Sequence, residues 1–132
     1  MALLTVSLTL LTVGFLPGLL SSWTDDSLSL TGGTSDDEIT LTVDRPRIGA
    51  TDVGIRLTPR RGARNGPLPD VTLQAVLPTA GHATPEASAH ARGDGAYSTT
   101  VHLMTPGRWT FRVSVEHGGR TDEFDFPVAI SG

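Results

Sequence analysis

The chain of 132 residues contains no cysteine and no lysine. Without cysteine there can be no disulfide, no thiolate metal site and no thiol nucleophile, so the folded part must be held by its core alone. Without lysine, all ten basic residues are arginine. Together with plentiful Ala, Gly, Pro and Thr this fits a GC-rich genome and carries no mechanistic meaning. Aromatic residues make up only 5% of the chain, and four of them fall within residues 107–130. A formal net charge of -4 and an isoelectric point near 5.4 lack the concentrated basic face that phosphate recognition needs, which argues against nucleic acid as a partner. Also missing are a nucleophile-elbow pattern, a glycine-rich phosphate loop leading into a helix, and a closely spaced metal triad. No enzyme is expected.

Residues 1–22 carry no charged side chain and are dominated by Leu, Val and Thr. Their length approaches the roughly 20 residues that span a bilayer as a helix. A secretory signal would show a basic start and a small-x-small cleavage site, and neither is present. A membrane anchor is the first reading and an atypical signal peptide the second; both place the remainder on the extracytoplasmic side. Residues 23–37, rich in Ser, Thr, Asp and Gly, read as a flexible acidic linker. A calcium site among those acids is disfavoured because the alternation and turn glycine of a calcium loop are absent.

From residue 38 onward, short runs alternate apolar and polar residues. Ile39, Leu41 and Val43 form the first, Val53, Ile55 and Leu57 the second, and Val71, Leu73, Ala75 and Leu77 the third. Ala87, Ala89 and Ala91 form a weaker fourth, and Tyr97, Val101 and Leu103 the fifth. Trp109, Phe111, Val113 and Val115 form the sixth and Phe124, Phe126, Val128 and Ile130 the seventh, joined by Gly118-Gly119, which supplies the positive φ angles of a tight hairpin and pairs His117 with Arg120. That register sets Val113 opposite Phe124, Phe111 opposite Phe126 and Trp109 opposite Val128, with all the large side chains on one face. Seven strands without a helical period predict an all-β, antiparallel, immunoglobulin-like sandwich over 38–132, preceded by an N-terminal hydrophobic helix.

If successive strands run antiparallel, the loops sort onto two ends. With the linker entering at the first predicted strand, the tether-side end receives the loops at 59–69, 92–95 and 117–120. It carries Arg60, Arg61, Arg64, Arg92, Arg120 and His117, and the arginines are candidates for contact with lipid phosphates or an acidic partner. The opposite end collects Arg45, Arg47, His82 and Met104. An imidazole and a thioether from two loops can form part of a soft-metal site, copper in particular. His90 and His102 do not form a joint site: with Ala91 opposite Tyr97, His90 faces Ser98 and His102 faces Glu86, about 13 Å apart along the ladder. Arg92-Gly93-Asp94 matches the integrin tripeptide, but Gly-Asp-Gly is also what a tight turn demands.

Three passages carry a family resemblance. Val43-Asp44-Arg45-Pro46-Arg47-Ile48-Gly49 followed by Val53-Gly54-Ile55-Arg56-Leu57 is the first. The second joins Gly66-Pro67-Leu68-Pro69-Asp70-Val71 to Leu77-Pro78-Thr79-Ala80-Gly81-His82. The third runs from Gly95-Ala96-Tyr97 to Met104-Thr105-Pro106-Gly107-Arg108-Trp109. In these, the chain resembles the YtkA-like family and the extracytoplasmic domain that ends CopC/CopD-type copper transport proteins. Leu77 and Ala80 stand where that family commonly has methionine, which leaves His82 and Met104 as the residues the resemblance carries over. It implies a membrane-tethered, non-catalytic accessory domain for copper handling or a redox membrane system, at the cell membrane, with a transporter or redox protein as partner. The alternative is an envelope protein-protein interaction module with no metal role.

Overall fold

The computed structural model describes residues 27–62 and 66–132. The 1–22 segment and Arg64 lie outside them. Among the described residues no helix is long and apolar enough to cross a membrane. The described residues form ten strands and one short 3-10 turn, Pro78–Ala80. The strands are β1 (Leu28–Gly33), β2 (Asp37–Val43), β3 (Gly49–Pro59), β4 (Asp70–Leu77), β5 (His82–Ala83), β6 (Ala87–Ser88), β7 (His90–Gly93), β8 (Ala96–Leu103), β9 (Gly107–His117) and β10 (Arg120–Ile130).

The C-terminal hairpin has the register its turn dictates. His117 pairs with Arg120, Val113 with Phe124, Phe111 with Phe126 and Trp109 with Val128, and Gly118 and Gly119 have φ of 49° and 94°. On its other side β9 pairs with β4, Val113 opposite Leu73 and Phe111 opposite Ala75. One sheet therefore runs β10-β9-β4-β5, with β6 also paired to β4, and the other runs β1-β2-β3-β8-β7. Every ladder between these strands is antiparallel. The two sheets close over one core in which Ile39, Leu41, Leu73, Leu103, Phe111 and Val113 are fully buried. This is a β-sandwich, and the period-two pattern builds it: along β4 and β9 alternate residues are buried, Val71, Leu73, Ala75 and Leu77 on one and Trp109, Phe111, Val113 and Val115 on the other, while the residues between them are not.

The excess over seven strands has three sources. First, residues read as linker supply β1, which pairs with β2 from Leu28↔Val43 to Gly33↔Glu38. Only Leu28 and Leu30 mark its buried side, a signal too short to outweigh the Ser, Thr and Gly around them. Second, the alanine run divides. Ala87 and Ser88 pair with β4, whereas His90 and Ala91 pair with Ser98 and Tyr97 in the other sheet. Alanine is small enough to pass the corner, and a bulge between Ala91 and Gly93 completes the bend. Third, His82 and Ala83 fold back on Leu77 and Val76 as β5.

β1 also reverses the direction in which the chain enters. Leu28 lies beside Val43, not beside Asp37. Upstream residues therefore reach the sandwich at the end that carries the 44–48 loop, which we call the entry end. The end expected to face the tether is the remote one.

Candidate functional site

At the remote end, the β1-β2 turn meets the β9-β10 turn. The Thr34 N–H donates to the Asp37 carbonyl at 2.9 Å, and the Arg60 N–H donates to the Asp36 carbonyl at 3.0 Å. Arg60 Nε donates to the Thr34 carbonyl at 2.7 Å. Asp37 is fully buried, and its Oδ2 lies 3.2 Å from His117 Nε2. Arg120 is ion-paired to Asp36 and stands 3.5 Å from Asp122. Each of Asp36, His117 and Asp122 places one donor atom within 4.8 Å of the others.

Two carboxylates and an imidazole suit a divalent cation such as zinc. Arg120 already supplies positive charge there, so the arrangement also stands as a closed ion-pair network tying two turns together. The sequence shows no closely spaced triad because these ligands come from positions 36, 117 and 122, which only the pairing of strands brings together. Asp36 and Asp37 belong to the stretch expected to be a flexible linker; they immediately precede the first predicted strand, and that strand's pairing with the next puts them beside Arg60.

The arginines predicted to act together do not all converge. Arg60 and Arg120 engage Asp36 or its turn, and Arg61 lines a shallow cleft with Ser35 and Asp36. Arg92 turns away along the outer face of a sheet, its Nε donating to Ser98 Oγ at 2.7 Å. There it borders an open cleft of about 450 Å³ with Asp52, His90 and Thr100. Leu28, where the described chain enters the sandwich, lies at the end opposite Arg60, Arg61 and Arg120.

The entry end carries the other candidates. His82 is exposed on β5, and Met104, just after β8, is 82% exposed. Their donor chemistry, imidazole and thioether, fits copper(I). His90 pairs with Ser98 as expected. His102 pairs with Ala50 instead of Glu86 because the alanine run crosses to the other sheet before reaching it. Glu86 and His102 nonetheless border one small cleft.

The loop at 44–48 is stitched to the end of the chain. The Ile48 N–H donates to the Ser131 carbonyl at 3.0 Å and the Ser131 N–H to the Pro46 carbonyl at 3.1 Å, with a parallel bridge between Arg47 and Ser131. Arg45 has φ of 56°, a left-handed conformation uncommon outside glycine. Comparison of the chain with protein-family models, with curated proteins and with solved structures returns no match.

Proposed function

We propose that the protein is an immunoglobulin-like module held at the extracytoplasmic face of a membrane through residues 1–22. There it serves as a non-catalytic accessory domain for copper handling or a redox membrane system, in keeping with its resemblance to YtkA-like domains. The supporting observation is topological: the end that receives the chain from 1–22 is the end that carries His82 and Met104. A metal held there would face a membrane partner such as a transporter. His82 would contribute imidazole nitrogen and Met104 thioether sulfur, and the bound copper would supply a cargo or redox centre.

The test is competition for Cu(I) between the full chain in detergent micelles and a chelator of known affinity. Wild type should bind more tightly than a histidine-bearing control protein, and His82→Ala and Met104→Leu should each weaken binding at least tenfold. Binding no tighter than the control, or binding that both substitutions leave intact, overturns the copper role. The envelope interaction module would then stand, and the charged plate formed by Asp36, Arg120 and Asp122 at the remote end favours it as a protein-facing surface.

A further inference from the structure

We infer that the entry end is a docking face for an anionic phospholipid surface, made by Arg45, Arg47, Ile48, Met104 and Arg108. This rests on the reading that residues 1–22 hold the chain at a membrane, and it adds the orientation of the sandwich and the residues that set it.

Four observations converge on this end. The first is reach. Residues 23–27 separate the uncharged segment from Leu28, and a chain extends at most about 3.5 Å per residue. The connection thus spans less than about 20 Å. Along the seven residues of β2 the sandwich is itself about 20 Å long. The entry end is therefore held close to the bilayer, with the remote end a strand length further away.

The second observation is apolar exposure. The described residues include three large hydrophobic side chains that are exposed, and two of them, Ile48 at 42% and Met104 at 82%, belong to this end. Leu68 belongs to the other. A thioether or a branched aliphatic chain open to water is suited to the headgroup and acyl boundary.

Charge is the third. Arg45, Arg47 and Arg108 are all exposed here, and Asp44 is the acid exposed in the same loops. Arginine matches phosphate geometry and is drawn to an anionic surface over about a Debye length. Asp25 and Asp26, in the connecting residues, carry the opposite sign. They offset part of the attraction that the arginines supply, so vesicle composition is varied in the test.

The fourth observation is continuity. The 44–48 loop is bonded to Ser131, and Gly132 packs against Pro106, a β-carbon built on it standing 3.6 Å from Pro106 Cγ. Pro106 lies between Met104 and Arg108. The named side chains therefore share one contiguous surface, and its leading loop is fixed by backbone hydrogen bonds, not free to reorient.

The absence of native cysteine makes the test clean. Single-cysteine variants Ile48→Cys and Met104→Cys of the full chain carry a nitroxide label, with Arg61→Cys at the remote end as reference. Each is reconstituted into vesicles of phosphatidylcholine alone or mixed with phosphatidylglycerol. Accessibility of the label to oxygen, which partitions into lipid, and to a water-soluble nickel chelate is then read. In anionic vesicles the labels at 48 and 104 should shift toward oxygen while the label at 61 stays aqueous. The shift should be lost in neutral vesicles and on replacing Arg45, Arg47 and Arg108 with Gln. Labels at 48 and 104 that stay aqueous in anionic vesicles, with the protein co-sedimenting, overturn the docking face and leave the tether intact. Protein that fails to co-sediment with either vesicle overturns the tether and the docking face with it. Circular dichroism matching wild type in each variant confirms that the label reports on a folded sandwich.

Discussion

Single contacts at Gly32, Tyr97 and Phe111 decide how tightly the two sheets are joined. Gly32 sits on β1 where a β-carbon would overlap the ring of Phe124, and that ring meets Phe126 edge-on with centroids 4.8 Å apart. Gly32→Ala should therefore destabilise the fold by about 1–3 kcal/mol in urea titration, the usual cost of overpacking. Combining it with Phe124→Leu should recover part of the loss, because the two sites share one space. Tyr97 reaches across to donate its hydroxyl to the Pro69 carbonyl at 2.9 Å. Tyr97→Phe should cost about 1–2 kcal/mol, since a buried acceptor loses a donor while the packing stays. Phe111, 0% exposed at the centre of the core, sets the upper end of the scale: Phe111→Ala should cost about 3–5 kcal/mol in the same titration. The alternation of the β9 residues already marks Phe111 and Val113 as core. Nothing in the sequence marks Gly32, because the contact that requires glycine comes from a strand 92 positions later.

At the level of elements, strand β1 and the two charged turns hold the remote end together. Among the described residues β1 pairs on one side only, and of its side chains Leu28 and Leu30 are partly buried against the core. Its amides should exchange at a lower opening free energy than those of β2, which is paired on both sides and buries Ile39, Leu41 and Val43 completely. Hydrogen exchange read by mass spectrometry on peptides covering 28–33 and 38–43 checks this order, and equal protection would contradict it. Arg120 links the β9-β10 turn to Asp36 in the β1-β2 turn. Its side chain is 60% exposed, so the pair is screened by solvent and salt, and Arg120→Gln should cost no more than about 1 kcal/mol. On the outer face of the other sheet, the hydrogen bond from Arg112 to Asp125 raises the guanidinium pKa above its ordinary value. The split of the alanine run belongs to this scale as well. Its period was readable, yet three alanines carry too little apolar surface to say which sheet each end joins.

For the whole molecule, the two sheets share one core, so unfolding should be a single cooperative event. In a Trp23→Phe background, the fluorescence of Trp109, which is buried, and the far-ultraviolet circular dichroism should give coincident urea transitions. Addition of reductant should leave both unchanged, as there is no cysteine. Separated transitions would mean that the sheets unfold independently. The sequence by itself determined the all-β class, the hairpin register and most of the core, because a period of two and a Gly-Gly turn are local signals that admit one consistent pairing. Only the tertiary structure decided which end of the sandwich receives the chain. That depended on whether residues 28–33 pair with β2, and two half-buried leucines beside a serine- and glycine-rich stretch do not announce a strand until a neighbour offers them hydrogen bonds. The same holds for the site. Arginines were visible as a set, but their acidic partners come from contacts between turns far apart in the chain, and those exist only once both sheets are closed.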